Sequence, residues 1–558
     1  MTRGAGTPGL QRKTASMTIM TGGDAIAESL LANGVDTVFG IPGIQLDNLF
    51  DAFHRRRNRL RVIHTRHEQG AAYMAMGYAQ SSDRTGTFAV VPGPGLLNSL
   101  TPLADAASAN LPVLGITGQI PSAQIGRGLG MVHELKDQMR AVEGVIDWVR
   151  RANHPSEVPG LLDDAFRHMI SRRRKPAVFE MAPDMMGARA PVELRGPARA
   201  DDPPRPDPDL IAKATQRISA AAYPIVMAGG GVAGAEGALR RFAERLGAPV
   251  VMSQNARGAL AEDHPLAHHM LCGQELWLKT DLVIAVGTRF TTPALSWGRA
   301  GEFPVIRIDI DPVQITKPGR ADIAIVADAQ GALNALLQAL EGVAVKARPD
   351  GHADIRAELR RRLDGLEPLA GYARALRQAL PRDGIVVSDI TQFGVYARFG
   401  LPVYTPKSYL LPGYEATLGW AYPAALGAQI ANPGRKVVTF AGDGGFMFNV
   451  QELATAVQHD IPVVALVFNN GRYGNVHQIQ AKSYGGRHIA VDLKNPDFVA
   501  LARAFGMSAE RVESADQLFE TLRRFLDARA PALIEIPVGE MPDVWTLVKR
   551  PPSQGPAA

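Results

Sequence analysis

The sequence contains a single cysteine, Cys272, in 558 residues. No intrachain disulfide can form, and sites built from several thiolates are excluded. A lone cysteine fits a reducing compartment, so the expected location is the cytoplasm. Long apolar runs are also missing: none approaches the roughly 18 residues of a membrane-spanning helix. Charge of one sign is scarce. The net charge is +5 over the whole chain, too small an excess to argue for nucleic acid or a membrane surface as partner. The basic pieces HRRRNR (54–59) and SRRRK (171–175) are expected to be solvated helix faces or helix C-termini. The opening MTRGAGTPGLQRKTASM has no apolar h-region and is not a secretory signal. It carries Arg, Ser and Thr without acids, as a transit peptide does; a disordered tail over 1–17 is the expectation.

What is present is the balance of a globular protein, with 46% hydrophobic and 21% charged residues. The length implies about three or four domains. Short β-branched runs alternate with helical patterns: DTVFGI (36–41), LRVIHT (60–65), TFAVV (87–91), PVLGIT (112–117), PIVMAG (224–229), DLVIAVG (281–287), PVIRIDI (304–310), GIVVSD (384–389), KVVTFAG (436–442), PVVALVFNN (462–470) and ALIEIPV (532–538). These runs are continuously apolar rather than alternating, so each strand should be covered on both faces. With helices between them, the pattern predicts an α/β chain of doubly wound parallel sheets. A Pro- and charge-rich seam at 191–209 and a weaker one at 345–370 divide it into three blocks, 18–190, 210–344 and 371–545, with a second tail at 546–558.

Two strand ends carry the chemistry. VVTFAGDGG ends an apolar run at Gly442-Asp443-Gly444-Gly445, and PVVALVFNNG ends another at Asn470. The 27 residues separating Asp443 from Asn470 leave room for a helix, expected to start near Asn449, and a return strand. A right-handed crossover makes the two strands parallel and opens both ends on one edge, where ligands of such sheets bind. Two oxygen-bearing side chains can then meet at one hard cation, Mg2+ or Ca2+, with glycines admitting a phosphate close to the backbone. Each signal alone is ordinary turn chemistry; their conjunction is not.

This arrangement resembles the thiamine-diphosphate binding motif, Gly-Asp-Gly followed after a helix and a strand by Asn-Asn. The resemblance implies Asp443, Asn470 and the main-chain carbonyl of Arg472 as Mg2+ ligands. It places Gly442, Gly444, Gly445, Tyr473 and Gly474 against the cofactor, with Thr391 and Gln392 beside them. The segment VIHTRHEQGAAYMAMGYAQ (62–80) resembles the family's His-Glu-x-Gly-Ala stretch. Glu68 is thereby implied as the acid that hydrogen-bonds the aminopyrimidine ring and activates the thiazolium carbon, with Pro42, Gly43, Gly93 and Asn98 also near the cofactor. Read alone, Glu68 is equally a first-turn residue stabilising a helix N-terminus. In the family the acid and the metal seat come from different subunits, which implies a homodimer or homotetramer.

From about residue 20 to 540 the chain is most similar to the acetolactate synthase group, through FGIPGIQLDNLFDAF, VVPGPGLLNSL, GITGQIP, DLVIAVGTRF and QELATAVQHDIPVV among others. The resemblance implies decarboxylation of a 2-oxo acid and addition of the resulting carbanion to a second carbonyl compound. A non-ligating 2-oxo acid decarboxylase and a non-catalytic scaffold subunit are the alternatives. Several positions depart from the group. Thr417-Leu418 replaces its Thr-Met wedge, Ile44 and Gln45 follow Pro42-Gly43 where small residues are usual, and Ile479 stands for a tryptophan that helps select the second substrate. Val132-His133-Glu134 occupies a loop that carries Phe-Gln-Glu in the group. His133 is either a proton relay or a loop histidine binding water. His67 is expected to fix loop geometry, and His477 either lines the pocket or lies on the surface. The central block opens on a glycine-rich turn, 229–231, and the resemblance makes FAD possible there, an empty domain being the other reading.

Overall fold

A computed structural model describes residues 17–299, 301–319, 321–346 and 351–548; the expected tails lie almost wholly outside these. Three six-stranded sheets, every pairing in them parallel, follow one another along the chain. The first has the order Arg61–His64, Thr37–Gly40, Gly86–Val90, Val113–Thr117, Ala177–Met181, Trp148–Ala152. The second runs Ala267–His269, Val250–Met252, Pro224–Ala228, Leu282–Val286, Val305–Asp309, Ile323–Val326. The third runs Tyr409–Leu410, Ile385–Ser388, Val437–Gly442, Val463–Asn469, Ala532–Pro537, Ser508–Arg511. The central strands are buried along their length, as continuous apolar runs require. A small antiparallel pair, Thr18–Thr21 with Arg189–Val192, closes the first domain.

The first and third domains share one core. Its centre is the crossing of helix Glu68–Ser81 with helix Ala421–Ala431. Both are rich in alanine and glycine, so their backbones come close. A Cβ on Gly77 would lie 1.9 Å from the Ala424 carbonyl oxygen, and one on Gly427 would lie 1.9 Å from that of Met74. The contact is reciprocal: each helix presents a glycine to the other's carbonyl.

Several expectations are corrected. The seam at 345–370 is not all linker: it contains helix His352–Asp364, whose buried residues are only Leu359 and Leu363. The helix expected near Asn449 forms, as a 3-10 turn at Val450–Glu452 running into helix Leu453–Gln458, but a further short helix, Asp443–Met447, precedes it directly after the strand. The arginine-rich pieces are not simply solvated. Arg56 donates to Asp24 and Glu28 at 2.7 Å each, and Arg173 reaches the central domain's Asp309 at 2.8 Å. Arg257, buried, ties the central domain to the third through the carbonyls of Ala397 and Leu401. The glycines at 229–231 serve packing: a Cβ on Gly229 would stand 2.2 Å from the Gly287 carbonyl oxygen, and one on Gly231 2.8 Å from the Gly287 Cα. Contact between two loops thus accounts for Gly229 and Gly231.

Asp105, on helix Leu100–Ala109, is fully buried against Gly413, Ser108 and Thr417. Burial pushes its carboxyl from 3.8 up to about 7. A raised carboxyl favours the folded state while protonated, so this contribution is present below the unfolded value near 4 and is lost as pH rises through about 7. Asp105→Asn should therefore gain stability relative to the parent between pH 5 and pH 8, by at most about 1.4 kcal/mol for each tenfold fall in proton concentration. Urea midpoints of both proteins at the two pH values check this; a constant difference contradicts it.

Candidate cofactor site

At the carboxyl edge of the third sheet a cleft opens between the ends of Val437–Gly442 and Val463–Asn469. Asp443, Asn470 and Arg472 all line it, as do Thr391, Gln392, Leu418, Gly442, Gly444, Gly445, Tyr473 and Gly474. Its apolar walls are Leu418, Phe468, Val476, Val538 and Met541. The strand-end argument thus brings together the residues it named. Thr417 is the exception: its hydroxyl is buried beside Asp105 and Tyr73, behind the cleft. Thr391 spends its hydroxyl as helix cap, accepting from the Gly394 amide at 2.9 Å.

Asp443 is 2% exposed. Its Oδ2 accepts from Asn495 Nδ2 at 2.6 Å, and Asn495 Nδ2 also donates to Asn469 Oδ1 at 3.0 Å. The amides of Gly444, Gly471 and Arg472 also point to the carboxylate, which shows that the two strand ends meet. Burial nevertheless raises its pKa above the ordinary carboxylate range. A cation in the cleft would offset that cost. Asn470 Nδ2 donates to Gln392 Oε1 at 3.3 Å, which turns the amide and leaves Oδ1 as its remaining acceptor. The loop pairs with 491–493 through the Gly471 carbonyl and the Tyr473 amide, not through the Arg472 carbonyl. No cluster of three or more His, Cys, Asp or Glu side chains suited to a metal occurs among the described residues. The donors here are instead one carboxylate, one amide oxygen and one main-chain carbonyl. That all-oxygen set fits Mg2+, which keeps places for phosphate oxygens and water. Glycine is required where the loops touch: a Cβ on Gly444 would lie 2.5 Å from the Tyr473 ring, and one on Gly474 2.6 Å from Gln392 Oε1.

Two groups that the sequence reading did not name support the cleft, half-buried Asn495 and buried Asp389. Asn495 orients Asp443. Asp389, at the end of strand Ile385–Ser388, accepts from the amides of Ile390 and Gly419 at 2.9 and 3.2 Å and so fixes the turn behind Leu418; burial pushes its carboxyl up to about 6. Asp389 ends an apolar run as Asp443 does, so the same signal was there to find. Asn495, in a stretch without periodicity, offered none.

The first sheet carries the other set on its own carboxyl edge. Glu68 opens helix Glu68–Ser81, capped by His67, whose Nδ1 accepts from the Gln69 amide at 3.1 Å. His67 therefore shapes the loop, as expected. Asn98 Nδ2 donates to Glu68 Oε2 at 3.0 Å. Gly93, at φ 61°, lets the chain turn against the His133 backbone, and its amide donates to Gln138 Oε1 at 2.8 Å. His133 Nδ1 lies 3.1 Å from Gln45 Oε1, while Gln45 Nε2 donates to the Val132 carbonyl at 3.3 Å. The glutamine oxygen can only accept, so Nδ1 carries the proton and Nε2 is the free ring nitrogen. Gly43 abuts Val91, beside Pro42 and Gln45. Pro42, Gly43, Gln45, Glu68, Gly93, Asn98 and His133 thus share one edge. His477 does not line the cleft itself: its Nε2 meets Arg472 Nη1 at 3.3 Å and its ring stacks on His488.

Parallel sheets with a glycine-walled cleft of oxygen donors on one domain and an acid beside glycine turns on another fit an α/β enzyme built around a thiamine-type cofactor. The chain belongs to the thiamine pyrophosphate enzyme family. Its residues 20–141 match the N-terminal TPP binding domain, 211–336 the central domain and 389–536 the C-terminal TPP binding domain. It is 34% identical over 530 residues to a probable 2-ketoarginine decarboxylase of Pseudomonas aeruginosa, covering 93% of this chain and 94% of that one. It is 33% identical over 552 residues to a probable acetolactate synthase large subunit of Methanocaldococcus jannaschii, covering 93% and 92%. It is 30% identical over 554 residues to the acetolactate synthase isozyme 1 large subunit of Escherichia coli, covering 95% and 96%. No helix among the described residues is long and apolar enough to cross a membrane.

Removing Asp443 should abolish Mg2+-dependent retention of thiamine diphosphate, and Asn495→Ala should weaken it by about 10–100-fold, the usual cost of an outer-shell partner. Calorimetric titration with and without Mg2+ reads both; Asn495→Ala binding as tightly as the parent would contradict the orienting role.

Proposed function

We propose that this chain is a Mg2+- and thiamine-diphosphate-dependent enzyme that decarboxylates a 2-oxo acid and joins the remaining fragment to a second carbonyl compound. The observation that carries the reading is the cleft in which Asp443, Asn470 and Arg472 meet Leu418. When bound, thiamine diphosphate supplies an electron sink that lets the substrate carboxylate leave as CO2. Asp443, Asn470 and the Arg472 carbonyl hold the Mg2+. Leu418 supplies bulk against the cofactor's rings. Glu68, steadied by Asn98, holds and returns the proton of the aminopyrimidine. Gln45 and the free Nε2 of His133 bind the substrate or move a proton beside it. No flavin forms part of this proposal.

Every residue lining the cleft among those described lies between Asp389 and Met541. Glu68 is not among them, which supports an acid supplied to this cleft by a second copy of the chain. Exposed apolar residues on both edges agree with that: Ile44, Leu129 and Val132 on one, Tyr414, Val476, Ile479 and Ile489 on the other. The assembly is a homodimer, or a homotetramer made of two such pairs, and the reducing cytoplasm is its expected setting.

A second reading ends at decarboxylation, with the product released as an aldehyde. Ile479, in place of the tryptophan of the resembled group, favours it. The relative named as a probable 2-ketoarginine decarboxylase makes a guanidinium-bearing 2-oxo acid a substrate to test, and the exposed carboxylate of Glu540 lies beside the lining residues Val538 and Met541.

Pyruvate, longer 2-oxo acids and 5-guanidino-2-oxopentanoate, each with Mg2+ and thiamine diphosphate, separate the readings. CO2 with acetohydroxy acids or acyloins supports ligation, CO2 with aldehyde alone supports the second, and no cofactor-dependent CO2 from any overturns both. Glu68→Gln should slow exchange of the cofactor's C2 proton by about 100-fold or more. If the site is shared between chains, inactive Glu68→Gln and Asp443→Ala proteins, unfolded and refolded together, should recover about a quarter of parental activity, because half the dimers are mixed and each holds one intact site. No recovery would place both residues in one chain's site.

A further inference from the structure

Glu452 is fully buried, yet it belongs to neither set described above. It closes the 3-10 turn Val450–Glu452, nine positions after Asp443 in the third domain. Its carboxylate crosses to the first domain. Oε1 and Oε2 each accept from the Arg66 amide at 3.2 Å, and Oε1 accepts from the His67 amide at 3.1 Å. Within its own domain, Thr455 Oγ1 donates to Oε2 at 2.6 Å. Gly70, in the first turn of helix Glu68–Ser81, leaves the space the carboxylate fills, for a Cβ there would lie 2.4 Å from Oε1.

The two amides that Glu452 binds belong to the residues immediately before Glu68. Amides at a helix start have no partner within the helix, and a negative group beside them is favoured by the helix dipole. His67 already caps the helix from within, through the Gln69 amide. Glu452 secures two further amides, those of Arg66 and His67, and does so from the domain that carries the proposed metal seat. The Glu68 carboxylate itself accepts from Asn98 Nδ2. The backbone leading into Glu68 is therefore set by a side chain 386 and 385 positions away in sequence.

We propose that Glu452 is a positioning residue for Glu68: its carboxylate locks the 66–67 backbone so that the Glu68 side chain meets the aminopyrimidine held by the partner chain. This rests on the thiamine-diphosphate reading above. Burial pushes the Glu452 carboxyl up to about 7, against hydrogen bonds from Thr455 and the two amides that favour its charged form. A role confined to joining the domains would lower thermal stability alone; positioning Glu68 also changes the step that Glu68 serves.

The test is C2 hydrogen–deuterium exchange of thiamine diphosphate on the Mg2+-loaded full-length protein, for parent, Glu452→Gln, Glu68→Gln and the double variant. The expected result is exchange slowed by about tenfold or more in Glu452→Gln with cofactor affinity within about threefold, and a double variant no slower than Glu68→Gln, as for two residues acting through one group. Exchange within about twofold of the parent in folded Glu452→Gln, or an additive double variant, overturns the proposal. If Glu452→Gln does not fold, Thr455→Val, which removes a donor to the same carboxylate, is read the same way, and unchanged exchange overturns it. A parent protein that binds the cofactor without exchange would sink the underlying reading, and this proposal with it; a parent that exchanges with unaffected variants sinks this proposal alone.

Discussion

A carboxylate buried at the end of a parallel strand is the constraint on which the rest of the site depends. Asp443 sits at such an end with amides from its own turn and from the next strand's loop directed at it. Those hydrogen bonds do not undo the cost of burial, and Asn495 supplies one more. A divalent ion shared with Asn470 would remove the remaining imbalance, leaving places for the phosphates of a bound cofactor. The neighbouring glycines follow from the same demand, because the loops that deliver the ligands must touch. The seat is thus a response to buried charge, and the pattern of strand, crossover and strand is what creates that charge.

The second requirement is that an acid on one domain and a metal seat on another be held to a fixed geometry. In each chain the two domains share a core through the helix pair 68–81 and 421–431. The acid begins the first of these helices, and the turn behind Leu418 leads into the second. Both reactive edges are therefore extensions of one rigid contact. The central domain is fastened less intimately, through Arg173 to Asp309 and Arg257 to the backbone of 397 and 401, and contributes no residue to the cleft among those described.

Much of this was legible from residue order. Most interior strands announced themselves because burial on both faces demands unbroken apolar runs, although Ala177–Met181 and Val250–Met252 were missed. The edge strand Arg61–His64 was found as well, but Trp148–Ala152, with Arg150 and Arg151, and Ser508–Arg511, with Glu510 and Arg511, were not, because an exposed edge tolerates charge. Helix His352–Asp364 was read as linker because it buries so little that its pattern is almost wholly polar. In the site, Asp443 and Asn470 could be found because local grammar places them at strand ends. Glu452 and Asn495 were hidden because their meaning lies in contacts across tertiary structure. The flavin expectation came from the resemblance to the acetolactate synthase group; the close contact of Gly229 and Gly231 with Gly287 accounts for those two glycines through packing.

The reciprocal glycines of the helix crossing have a consequence at the level of the gene. Any missense change in the codon for Gly77 or Gly427 adds at least one carbon where a carbonyl oxygen of the opposing helix already stands. The obstacle is main chain rather than a movable side chain, and relief at one position would press the helices apart at the other. These two codons should therefore drift little as the lineage diverges, even though neither residue touches substrate, ion or cofactor.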